Sequence, residues 1–170
     1  ITAVCIALCV VLPMAFHSIQ NAGAIFCPMH IPVLLCGLLV GWPYGLLCGL
    51  AGPLLSSLLT GMPAMGYLPC MMVELGAYGL LCGLFMKFVR TGKIYADLYI
   101  SLVCGLLIGR VAGLFRALIF SPGSYSLAAW ATGYFVTCLP GLVIQLVLVP
   151  SIVFALMKAR LVPMRYPAKH

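Results

Sequence analysis

The chain has 170 residues, 65% of them hydrophobic and only 6% charged, and nine Lys and Arg against two Asp and Glu give a formal net charge of +7. A water-soluble domain of this length leaves too much of its surface in solvent to hide such a composition, so most of the chain is expected to meet lipid. The basic excess does not point to nucleic acid, because the Lys and Arg residues flank apolar runs and form no exposed stripe interleaved with aromatics.

The apolar runs are continuous rather than alternating, which excludes a barrel and leaves helices of about 20 residues as the spanning elements. A first span is predicted over about 1–17. The stretch after it, HSIQNAGAIFCP, carries Ser18, Gln20 and Asn21 and is too polar for lipid. A short second span runs from Met29 to Gly41, and Trp42–Pro43–Tyr44 is expected to make a tight turn with an interfacial aromatic pair. Spans three and four cover about 44–60 and 70–88, separated by the Gly/Pro segment Gly61–Pro69. A basic loop, Lys87 to Lys93, leads into span five at about 95–120. A loop from Ser121 to Gly123 and a sixth span over about 131–157 complete the chain.

Six spans place both termini, the 2–3 turn and the 4–5 loop on one side. That side receives seven of the nine basic residues (Lys87, Arg90, Lys93, Lys158, Arg160, Arg165 and Lys169). The excess of Lys and Arg marks it as cytoplasmic. The expected fold is therefore an all-α membrane protein, a single domain over 1–170 with six transmembrane helices and both termini in the cytoplasm.

Small residues recur every four positions, as Ala3/Ala7, Gly37/Gly41/Gly45/Gly49, Gly79/Gly83 and Gly105/Gly109/Gly113. On a helix this clears a flat strip against which another backbone can pack. The Gly strips are read as contacts inside the bundle, whereas Ala3 and Ala7 on the first span are candidates for a partner. Cys36, Cys48, Cys82 and Cys104 each precede a Gly in near-copies of one phrase, such as LLCGLL and LLCGLF, and act there as small apolar residues. Cys27 and Cys70 are the pair that shares an outer face, and no bridge between them is expected, since spacing fixes no connectivity.

A charged group at mid-helix costs about 2.5–3.5 kcal/mol on insertion scales, so Glu74, Arg110, Arg116 and Gln145 need an explanation. All four fall in the outer half of their spans or at mid-depth, which suggests a cavity open to the outside. Arg116 can snorkel to the interface, whereas Arg110 lies too deep and must pair with Glu74, line a wet site or meet an anionic group. Which arginine faces the cavity is left open by their six-residue spacing. Glu74 and Tyr78 share a helix face. His30, beside Cys27 and Met29, is read as a hydrogen-bonding wall residue and not as a metal ligand, because no second ligand cluster faces it. No paired carboxylates, HExxH, GxSxG or phosphate-binding glycine loop appears, so no enzyme activity is expected.

The segment PMHIPVLLCGLLVGWPYGLLCGLAGPLLSSLLTGMP, followed by MMVELGAYGLLCGLF, resembles the substrate-binding S components of energy-coupling factor (ECF) vitamin transporters. The resemblance implies an S-component-like bundle that takes one vitamin or related micronutrient from outside with high affinity. It implies that Ala3 and Ala7 contact a transmembrane coupling (T) subunit. Two partner ATPases would consume ATP, the chain itself needing no cofactor. The location implied is the cell membrane of a prokaryote. The candidate substrate-binding residues are His30, Glu74, Tyr78, Arg110 and Gln145, with Asn21 and Tyr67 in the capping loops at 17–29 and 61–69. The cargo is either a pantothenate-like carboxylate held by Arg110 or a pyridoxine- or hydroxymethylpyrimidine-like ring held by Glu74 and aromatic stacking. The competing reading is a stand-alone secondary transporter or channel for a small solute, which would normally show paired broken helices or a polar path through both leaflets.

Overall fold

The computed structural model describes residues 1–15, 25–120 and 126–162, without the side chains of 115–118, 120 and 134. Among the described residues the secondary structure is entirely helical. The helices are α1 (Thr2–Ala15), α2 (His30–Val40), α3 (Trp42–Thr60), α4 (Leu68–Phe88), α5 (Ile94–Phe120), α6 (Leu127–Ala131) and α7 (Leu139–Lys158), with a π-helical stretch, Thr132–Thr137, between the last two. Among the described residues, four segments are long and apolar enough to cross a membrane: Trp42–Thr60, Leu68–Phe88, Ile94–Leu114 and Leu139–Lys158. Helices α1 and α2 are apolar but shorter.

Local chemistry sets the boundaries. Helices α3, α4 and α7 each carry a proline in the first turn (Pro43, Pro69 and Pro140), where a missing N–H costs nothing and φ is already helical. Pro43 also corrects the expected turn at Trp42–Tyr44. Those residues form the first turn of α3, and the chain reverses at Gly41 alone, whose φ of 112° is open to glycine. Helix α3 ends at Gly61 in the left-handed region, and Ser56 and Ser57 then donate to the carbonyls of Met62 and Pro63, both at 2.8 Å. The segment after α3 is thus fastened to the helix it leaves. In the basic loop, the Thr91 amide (2.7 Å) and hydroxyl (2.6 Å) both donate to Asp97 Oδ1 in the first turn of α5.

Helix α4 is the centre of the bundle and packs on α2, α3 and α5, while α1 lies on α2 and α3, and α7 lies lightly against α2 and α5. The glycine strips are what bring these backbones together. A Cβ at Gly37 would lie 2.5 Å from the Gly79 carbonyl oxygen, and one at Gly49 would lie 2.5 Å from that of Leu75. A Cβ at Gly105 would run into the Cys82 thiol, which fills that gap as a small side chain. The expected sixth span over 131–157 is corrected as well. The α-helix begins only at Leu139, and the π-helical stretch and Cys138 interrupt the apolar run ahead of it.

Exposure is inverted relative to a water-soluble protein. Leu59 (72%) and Val147 (61%) stand open, whereas Arg110 (3%) and Gln145 (1%) are shut inside. Such a molecule presents its apolar side chains to lipid and turns its polar ones inward.

Candidate functional site

Five buried polar side chains of α2, α4, α5 and α7, those of His30, Glu74, Tyr78, Arg110 and Gln145, lie towards one end of the bundle, whereas Asp97 and Ser101 are buried near the start of α5 at the other. His30 opens α2, Glu74 and Tyr78 lie in the second and third turns of α4, and Gln145 lies in the second turn of α7. Arg110 sits on α5 sixteen residues, about 24 Å of rise, past its start. This end is opposite the one where Lys87, Lys93 and Lys158 cluster near the helix termini.

His30 Nε2 lies 4.0 Å from Glu74 Oε1, and its ring meets the Tyr78 ring at 5.1 Å between centroids with a 59° tilt. Tyr78 is 1% exposed and lies flat on α5, since a Cβ at Gly109 would run into its ring. The Gly109–Arg110 pair thus does two things: glycine admits the tyrosine, and the next residue carries the charge. Contacts from Glu74 to His30, from His30 to Tyr78 and from Tyr78 to Gly109 link these groups to the turn of α5 that carries Arg110. Among the buried side-chain atoms that find no hydrogen-bond partner among the described residues are His30 Nδ1 and Gln145 Oε1 at this end and Ser101 Oγ elsewhere on α5. Buried polar atoms are rarely left so, and the first two are each suited to a group that arrives from outside the chain.

Three residues that the sequence reading passed over complete the surroundings. The Trp130 indole N–H donates to the Arg110 carbonyl at 3.2 Å. Phe135 meets Trp130 edge-on at 5.5 Å and lies 5.6 Å from the Arg110 guanidinium, within cation–π range. Cys138 brings its sulfur within 3.7 Å of Cys27. Aromatic residues in an apolar run give no contrast of polarity, so only the scarcity of tryptophan (two in the chain) marked Trp130 out. Cys27 therefore stands against Cys138, the reason being that the first turn of α7 packs on residues 25–26; Cys70 is partly exposed on α4.

Of the other candidates, Tyr67 precedes α4 and is 47% exposed, two helical turns from Glu74. Asn21 and the Arg116 side chain lie outside the described residues. Ala3 and Ala7 are on the open face of α1 with Val4 and Leu8, while Cys5 and Cys9 point into the bundle. No group of three or more His, Cys, Asp and Glu among the described residues is arranged to hold a metal ion.

A family model described as the substrate-specific component of ECF transporters matches residues 1–153. No curated protein and no solved structure matches the chain.

Proposed function

Because the chain belongs to the family of substrate-specific components of ECF transporters, we propose that it binds a water-soluble vitamin or related micronutrient from outside the cell and delivers it inward. In this reading all six apolar helices lie in the cell membrane with both termini in the cytoplasm. The excess of Lys and Arg at the inner end supports that orientation. A T subunit docks on the Ala3/Ala7 face of α1, and two ATPases supply the energy.

The observation that carries the proposal is the buried set His30, Glu74, Tyr78, Arg110 and Gln145, shared among four helices. Polar groups at this depth are costly and gather around a site of use. The set suits a small ring compound with its own donors and acceptors. Glu74 and Arg110 together bring no net charge, Gln145 Oε1 offers an acceptor, and the His30, Tyr78, Trp130 and Phe135 rings supply apolar faces. A pantothenate-like carboxylate is the second reading, favoured by the Arg110 guanidinium.

Binding by the purified chain to candidate nutrients separates the two. Arg110→Ala sharply weakens binding of a carboxylate cargo, whereas Glu74→Gln weakens binding of the ring compound by about ten- to a hundredfold. Uptake by the chain alone in liposomes without ATP would contradict the S-component reading and support a stand-alone transporter.

A further inference from the structure

We propose that Cys27 and Cys138 are a reversible dithiol–disulfide pair, whose oxidation fastens the chain ahead of α2 to the head of α7. The two sulfurs stand 3.7 Å apart across 111 residues of sequence. Their backbones are also brought close, because a Cβ at Gly141 would lie 2.6 Å from the Ile25 carbonyl oxygen and 2.8 Å from that of Phe26. Forming an S–S bond of about 2.05 Å brings the two sulfurs together from 3.7 Å by rotation of the two side chains.

Neither residue belongs to an α-helix. Cys27 precedes α2 with φ at +46°, a conformation seldom adopted by a residue with a side chain, and Cys138 joins the π-helical stretch to α7. The remaining cysteines all lie within α-helices: Cys5, Cys9, Cys36, Cys48 and Cys82 are buried between packed helices, as Cys27 is beside α7, and Cys70 and Cys104 lie on separate helices.

The electron balance is that of thiol–disulfide exchange with a small-molecule disulfide as the oxidant. The partly exposed Cys138, as thiolate, attacks one sulfur of the oxidant and releases the other half as a thiol. Cys27, having lost its proton, then displaces the second half and closes the bridge. Two protein thiols are oxidised, one disulfide is reduced to two thiols, and an external dithiol reverses the sequence. Cys138 follows Phe135, which stands 5.6 Å from the Arg110 guanidinium, by three residues, so the bridge closes beside the candidate binding site. The exchange itself is independent of the transport reading. Only the placing of the pair at the outer end of the bundle rests on it.

The test treats the purified full chain in detergent with dithiodipyridine, an apolar aromatic disulfide, followed by alkylation and peptide mapping. The expected product is a Cys27–Cys138 cross-linked peptide pair lighter by two hydrogens, with two fewer alkylated thiols, reversed by dithiothreitol. Oxidised protein unfolds at a higher temperature than reduced protein, and Cys138→Ala loses both the cross-link and the shift. The wild-type cross-link needs no variant to be read. Separate alkylation of both residues after oxidation, a persistent mixed adduct, or linkage of Cys27 to Cys70 would overturn the proposal.

Discussion

Gln145 and Glu74 differ in what their burial costs, and that difference separates a binding role from a structural one. Gln145 Oε1 is buried without a hydrogen-bond partner among the described residues, so its amide weakens the ligand-free bundle. Replacing such a group by an apolar one of similar size removes a desolvation cost of about 1–3 kcal/mol. Gln145→Leu is therefore expected to raise the unfolding temperature of the ligand-free protein while reducing ligand affinity. A thermal melt beside a binding isotherm reads both, and unchanged affinity would remove Gln145 from the site. Glu74 has the His30 imidazole at 4.0 Å, and a charged hydrogen bond to a ligand is worth about 1.5–3 kcal/mol. Glu74→Gln is expected to weaken binding of a ring cargo by about ten- to a hundredfold. These residues were legible in the sequence because a charge or amide in an apolar run is conspicuous. Trp130 and Phe135 were not, because their partnership with Arg110 is made by the fold and has no signature in local polarity.

At the scale of the element, the glycine strips and the alanine strip look alike in sequence and part company in the structure. Gly37 and Gly49 lie against the backbone of α4, and Gly79 in turn lies against Gly45 and Val33. Gly79→Leu has no room to expand and is expected to cost about 1–3 kcal/mol or more, seen as loss of monodisperse protein on size exclusion. Ala3 and Ala7 lie on an open face, so Ala7→Leu is expected to leave folding and ligand binding unchanged. The same change is expected to abolish copurification with a coexpressed T subunit, because a larger side chain holds the facing backbone away. Retained copurification would move the partner surface elsewhere. The helix limits follow a similar division. Apolar length announced α3, α4 and α5, but Pro43 looked like part of a turn when it was the opening of a helix. The break before Leu139 was hidden because both sides of it are apolar.

For the whole molecule, two asymmetries run along the bundle: basic side chains gather at one end, and the buried set His30, Glu74, Tyr78, Arg110 and Gln145 lies towards the other. The orientation we propose assigns the first end to the cytoplasm. Reporter fusions within residues 89–93 and after Lys158 are both expected to report a cytoplasmic location, and opposite signals would indicate an odd number of spans between them. The central claim is that the buried groups of α2, α4, α5 and α7 hold a micronutrient. Native mass spectrometry of the protein purified from rich medium tests this most directly. A small molecule bound at one per chain is expected, depleted in Glu74→Gln for a ring cargo and in Arg110→Ala for a carboxylate; a folded protein that carries none, and binds none of the candidate vitamins when they are added back, would overturn this reading.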